Sequence, residues 1–240
     1  MLNKKITMDM THGSLWNKIL MFALPLAASS ILQQLFNSVD TAVVGRFASS
    51  QALAAVGSNS SLISLMINLF IGISLGSNVV IAHYIGQKSE KNIHAAVHTA
   101  IVVAILSGVF VMILGQFIAK PVLLLMGTPE DVIDLAVLYL RIYLIGMPFI
   151  MLYDFGSSIL RSTGDSKRPL YSLIVAGIVN TVLNLILVIV FKLGVSGVAI
   201  ATVISNVVSS SIVMVILMHE SEPIRPVSYT HLRAHETRHD

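Results

Sequence analysis

The chain is 240 residues long, 55% of them hydrophobic, with 15 basic side chains, 12 acidic ones and no cysteine. Charged residues make up 11% of it, against about a quarter in soluble domains, which excludes an ordinary cytosolic enzyme and a disordered chain. The basic residues form no single patch or helix stripe, so nucleic acid is excluded as a partner. Without cysteine there is no disulfide framework, thiolate nucleophile or cysteine metal site.

A membrane span needs about 20 predominantly apolar residues. Six runs qualify, over residues 19–47, 52–82, 92–119, 135–153, 170–191 and 193–218. The first contains only Asp40 and Arg46 as charges, the fourth only Arg141, and the other four none. Such stretches leave no polar face for water, and helices satisfy their own backbone in lipid. The expected fold is all-α: a polytopic integral membrane protein of six transmembrane helices. The first run follows a polar leader and no small-residue cleavage site precedes a polar mature chain, so it does not read as a signal peptide.

Punctuation fits this map. Thr128-Pro129-Glu130-Asp131 reads as a helix start, with a capping threonine, proline at the first helical position and acids at the positive end of the dipole. Gly164-Asp165-Ser166-Lys167-Arg168-Pro169 reads as a polar turn between spans four and five, and Gly86 to Lys91 as another between spans two and three. Orientation follows from Lys and Arg. With the amino terminus cytoplasmic, the inner side holds Lys4, Lys5, Lys18, Lys88, Lys91, Arg161, Lys167, Arg168, Arg225, Arg233 and Arg238, and the outer side Arg46, Lys120 and Lys192. Both termini are then expected to be cytoplasmic and the protein to sit in the cell membrane as a multi-pass chain.

Several residues within the spans stand out. Gly72 and Gly76 form a GxxxG pair on span two, expected to pack against another helix. Pro25 removes a backbone donor early in span one, and makes either a static kink or a hinge. Asp40 is the only acid well inside an otherwise apolar span. It is either a headgroup-level residue or a functional one, since a charge at mid-membrane costs at least ~2.5 kcal/mol. Gln33, Gln34, Asn37 and Asp40 recur at three- to four-residue spacing and form one polar stripe, expected to face a water-filled cavity or protein. Asn180 and Asn184 share a face of span five, and Thr202 lies in span six; both sets read equally as helix-to-helix glue. His94 and His98 share a face of span three with no acid nearby, and no metal site is expected there. Arg141 and Asp154 are left without an assigned partner.

Taken in order, Gly13-Ser14-Leu15-Trp16, Leu24-Pro25, Gln33-Gln34-Leu35-Phe36-Asn37-Ser38-Val39-Asp40-Thr41, Val44-Gly45-Arg46, Leu53-Ala54-Ala55-Val56-Gly57, Leu160-Arg161-Ser162-Thr163-Gly164-Asp165 and Leu193-Gly194-Val195-Ser196-Gly197-Val198-Ala199-Ile200-Ala201-Thr202 resemble the multidrug and toxic compound extrusion family of efflux transporters. The resemblance covers roughly residues 10 to 220. It implies one six-helix lobe of a two-lobe, twelve-span transporter that exports small amphipathic or cationic substrates in exchange for H⁺ or Na⁺, with no resident cofactor or metal. The matching region is the amino-terminal lobe, residues 1–222, and a carboxy-terminal lobe is missing. By resemblance, Asp40, Asn180, Asn184 and Thr202 form the ion- or proton-coupling site, Gln33, Gln34 and Asn37 line the substrate cavity, and Pro25 is the hinge. Family members that bind an ion often carry aspartate where Asn184 stands, which shifts the expectation from Na⁺ toward a proton on Asp40.

Residues 223–240 break the pattern, with His231, His235 and His239 recurring every four residues. They read as a non-native segment following a shortened chain, or as a disordered end. The alternative function of related architecture is a flippase for lipids or lipid-linked saccharides. That class needs several basic residues in its cavity, and only Arg141 lies within a span. A membrane-embedded enzyme needs convergent acids or a histidine with an acid, which Asp40 alone does not supply.

Overall fold

The structure is a computed structural model that describes residues 15–220 and 224–226. Lys4, Lys5, Gly13, Ser14, Arg233, Arg238 and the three tail histidines lie outside the described residues, as does most of the proposed 223–240 tail. Ile224 lies at the edge of the core, packed against it.

The described residues are helical and contain no strand. The helices are α1 (Leu15–Phe47), α2 (Ser50–Gly86), α3 (Glu90–Leu125), α4 (Ile133–Ile145), α5 (Met147–Ser162), α6 (Lys167–Leu185) and α7 (Gly194–Met218), with one π-helical turn, Ile186–Val190, continuing α6. Five spans are long and apolar enough to cross a membrane singly, and α4 with α5 makes a sixth bent by 46°. Large apolar side chains cover the outside: Leu24, Ile31, Leu65, Leu69, Phe110 and Phe117 are all exposed, as a lipid-facing surface requires.

The fourth span departs from the sequence expectation, which made 135–153 continuous. Pro148 has no N–H to offer the Leu144 carbonyl, so the ladder breaks there. The Gly146 carbonyl accepts from Phe149 and Ile150 at 3.0 and 3.1 Å and restarts the helix. The helix expected to begin at Thr128-Pro129 begins instead at Ile133. The Pro129 carbonyl accepts from both Val132 and Ile133 at 3.0 Å, a tight turn that delays the first α-helical bond.

The GxxxG expectation is also corrected. Gly72 and Gly76 face open space, with no atom within 4 Å of a Cβ built on either. The packed face of α2 carries Asn59, Ser74 and Ile81 instead. Asn59 Nδ2 donates to the Ala136 carbonyl at 3.0 Å, Asn78 Nδ2 donates to the Ser158 carbonyl at 2.8 Å, and Ser158 Oγ donates to the Ser74 carbonyl. Polar glue of this kind, rather than glycine contact, holds α2 to α4 and α5.

α5 is the central element, packed against α2, α3 and α7 and buried at every position from Tyr153 to Leu160. At its far end the chain turns at Gly164, whose φ of +84° is the left-handed region that glycine enters without strain. Asp165 then accepts from the backbone N–H of Lys167 and Arg168 at 3.0 and 3.2 Å, closing the first turn of α6. The Arg168 guanidinium bonds both Asp165 and Glu220, so one arginine ties the start of α6 to the end of α7.

Candidate functional site

The polar stripe of α1 runs from the exposed Gln34 and Asn37 to the buried Asp40. Asp40 is 7% exposed and meets α6 and α7, so its carboxylate is packed against protein rather than turned to lipid. Asn184 Nδ2 donates to Asp40 Oδ1 and also to Asn180 Oδ1 at 3.1 Å. Thr202 Oγ1 donates to Asp40 Oδ2 at 3.3 Å and accepts from Asn180 Nδ2 at 3.4 Å. Sequence spacing explains half of this: residues four apart on α6 stack on one face. The other half is packing, since α6 and α7 lie side by side and deliver Thr202 to the same point.

Two features give this cluster more than one state. Thr202 has a single hydroxyl proton and two acceptors, Asp40 Oδ2 and the Val198 carbonyl at 3.0 Å. Asn184 Oδ1 is buried without a hydrogen-bond partner. An amide can donate to a carboxylate or, turned over, accept from a carboxylic acid. Among the described residues, the groups that hydrogen-bond the Asp40 carboxylate, Asn184 and Thr202, are both neutral.

Asp40 sits in the wall between two chambers. One, of about 150 Å³, is bounded by α1, α2, α4, α5, α6 and α7 and includes Gln33, Asn37, Asn180 and Thr202. The other, of about 460 Å³, lies between α1, α2, α4 and α7 and includes Gln34, Asn37, Tyr139 and Tyr143. Gln33 and Gln34 therefore serve different chambers, while Asn37 reaches both. Neither chamber has a basic residue in its lining. Arg141 is exposed on α4, away from both.

Pro25 lies on α1 fifteen residues before Asp40, and α1 runs through it without a break. Its missing N–H leaves the Met21 carbonyl without the usual helix donor, while its own carbonyl accepts from Ser29 Oγ at 2.8 Å. Pro25→Ala is expected to restore one backbone bond and raise thermal stability. If Pro25 serves as a hinge, transport falls in the same variant; a static kink leaves transport unchanged. Thermal unfolding and transport measured on one preparation separate the two.

Sequence reasoning missed Asp154, which lines the smaller chamber together with Asp40. Its signal was an acid without an assigned partner on a helix that turns out to be the most buried of the fold.

A helical lobe with a buried carboxylate between chambers is the architecture of a membrane transporter, and the relatives agree. Residues 25–186 match the MatE family model, and the chain belongs to that family. It is similar to the "Probable multidrug resistance protein YoeA" of Bacillus subtilis, 37% identical over 92% of this chain and 48% of that protein. It is 29% identical to the "Probable multidrug resistance protein YpnP" of the same organism, over 82% of this chain and 44% of that one. Among solved structures, the outward-facing conformation of a multidrug resistance MATE family transporter superimposes with a TM-score of 0.83 at 25% identity, covering 90% of this chain and 48% of that one. The chain spans about half the length of the relatives it matches. It is a multi-pass membrane protein of a transporter family, not an enzyme.

Proposed function

We propose that this chain forms the amino-terminal lobe of a secondary exporter, which expels small amphipathic or cationic compounds in exchange for a proton at Asp40. The observation that carries the reading is the carboxylate's position: buried, bonded to Asn184 and Thr202 on two other helices, and facing the chambers. In the ionised state Asp40 accepts from both. When it takes a proton, Asn184 turns its amide to accept, and the Thr202 hydroxyl returns to Val198. The bond that fastens α1 to α7 is then lost while the one to α6 reverses direction, and the part of α1 beyond Pro25 is free to change shape.

Three neutral side chains, Asn180, Asn184 and Thr202, around one carboxylate suit a proton better than Na⁺, because Asn184 supplies no second negative charge. The Lys and Arg distribution supports a cytoplasmic position for both ends of the lobe. A carboxy-terminal lobe completes the cavity, and the bilayer holds both. The absence of basic side chains in both chambers favours this reading over a flippase for phosphate-bearing lipids.

The test is counterflow in proteoliposomes holding the two-lobe protein. An imposed pH gradient is expected to drive accumulation of a lipophilic cation, and a Na⁺ gradient at equal pH is not. Accumulation driven by Na⁺ alone overturns the proton assignment, and accumulation under neither gradient overturns the exporter.

A further inference from the structure

Asp154 is the smaller chamber's second carboxylate, and the coupling scheme above makes no use of it. It is 8% exposed, and its Oδ2 has no hydrogen-bond partner among the described residues. The groups facing it do not supply one. Ser205 and Ser209 line the chamber from α7, but their hydroxyls donate to their own helix, to the Thr202 carbonyl at 2.8 Å and the Asn206 carbonyl at 3.1 Å. Tyr153 Oη donates to the Pro169 carbonyl at 3.3 Å. Arg161, two turns later on α5 and about 10 Å along the axis, acts on Asp154 through its charge but is not part of the chamber lining.

A buried carboxylate oxygen without a hydrogen-bond donor is costly, and a cation entering the chamber would supply the missing partner. The nearby hydroxyls present acceptor oxygens rather than protons, so the occupant needs no acceptors of its own. Phe36 and Tyr153 add aromatic faces to the same lining, and such rings attract cations. Carboxylate, aromatic faces and a volume of about 150 Å³ describe a pocket for an alkylammonium head rather than for a whole drug-sized molecule.

We propose that Asp154 is the specificity-determining carboxylate of this lobe: it receives the cationic head of the cargo against Phe36 and Tyr153, while Asp40 carries the exchanged ion. This assignment rests on the exporter reading but is tested without transport. The chain in lipid nanodiscs is titrated with radiolabelled tetraethylammonium at equilibrium, with no gradient present, so failure here is distinct from failure of coupling. Asp154→Asn is expected to weaken binding at least tenfold, and Asp154→Glu to restore most of it. Bound tetraethylammonium is also expected to slow carbodiimide labelling of Asp154 in the unmodified chain, a readout that does not depend on a variant folding. No binding by the unmodified chain, equal binding by Asp154→Asn, or labelling of Asp154 indifferent to the cation each overturns the proposal.

Discussion

Asp40→Asn is expected to abolish gradient-driven export while leaving the lobe folded. One pH unit is worth about 1.4 kcal/mol per proton, tenfold in the cargo gradient that a one-for-one exchange can hold. A difference of about two units therefore sustains a gradient of roughly 100-fold, which the variant should collapse to unity because an amide cannot carry the proton. The structural cost is small for a specific reason. Asparagine has the shape of aspartate, its Oδ1 keeps the bond from Asn184 Nδ2, and its Nδ2 can donate to Thr202 Oγ1, whose own proton moves to Val198. Stability should shift by no more than about 1–2 kcal/mol, the scale of one altered hydrogen bond. Thermal unfolding in detergent and counterflow in proteoliposomes measure the two quantities. A variant that still concentrates cargo under a pH gradient removes Asp40 from the mechanism.

What could be read from sequence divides by range. The spans were legible because lipid demands about 20 apolar residues whatever the neighbours are. The stripe from Gln33 to Asp40 and the Asn180–Asn184 pair were legible because helical spacing alone puts such residues on one face. That Asn184 and Thr202 converge on Asp40 is a fact of helix packing, and only the family resemblance anticipated it. Asp154 was overlooked for the same reason. Its spacing from other polar residues says nothing, and its importance comes from lining the smaller chamber together with residues of α1, α6 and α7. The glycines were misread in an instructive way. Gly72 and Gly76 carry a motif but face open space, whereas Gly108, Gly115, Gly156 and Gly177 carry none and lie against their neighbours.

Those contacts set the second large effect. Gly108→Ala should destabilise the lobe by about 1–3 kcal/mol, the usual range for overpacking. A Cβ built on Gly108 falls 2.5 Å from Pro148 Cα, 3.0 Å from its nitrogen and 3.2 Å from the Met147 carbonyl oxygen. All three are backbone atoms at the bend between α4 and α5, so no rotamer change relieves the clash, and α3 or the bend must move. Gly115 provides the contrast. Its Cβ would meet Leu144 Cδ1 at 2.4 Å, the tip of a side chain that can turn away, and Gly115→Ala should cost less. Gly72→Ala meets nothing and should be neutral or stabilising by up to about 1 kcal/mol from helix propensity. At about 2–4 °C per kcal/mol for a domain of this size, thermal unfolding resolves the order of the three. Since the bend also positions Ile150, Tyr153 and Asp154 in the chamber wall, Gly108→Ala should weaken cation binding as well as stability. Gly115→Ala should change stability alone. Equal melting of Gly108→Ala and Gly72→Ala would mean that α3 does not clamp the bend, and that the chamber wall is set by α5 and α7 without it.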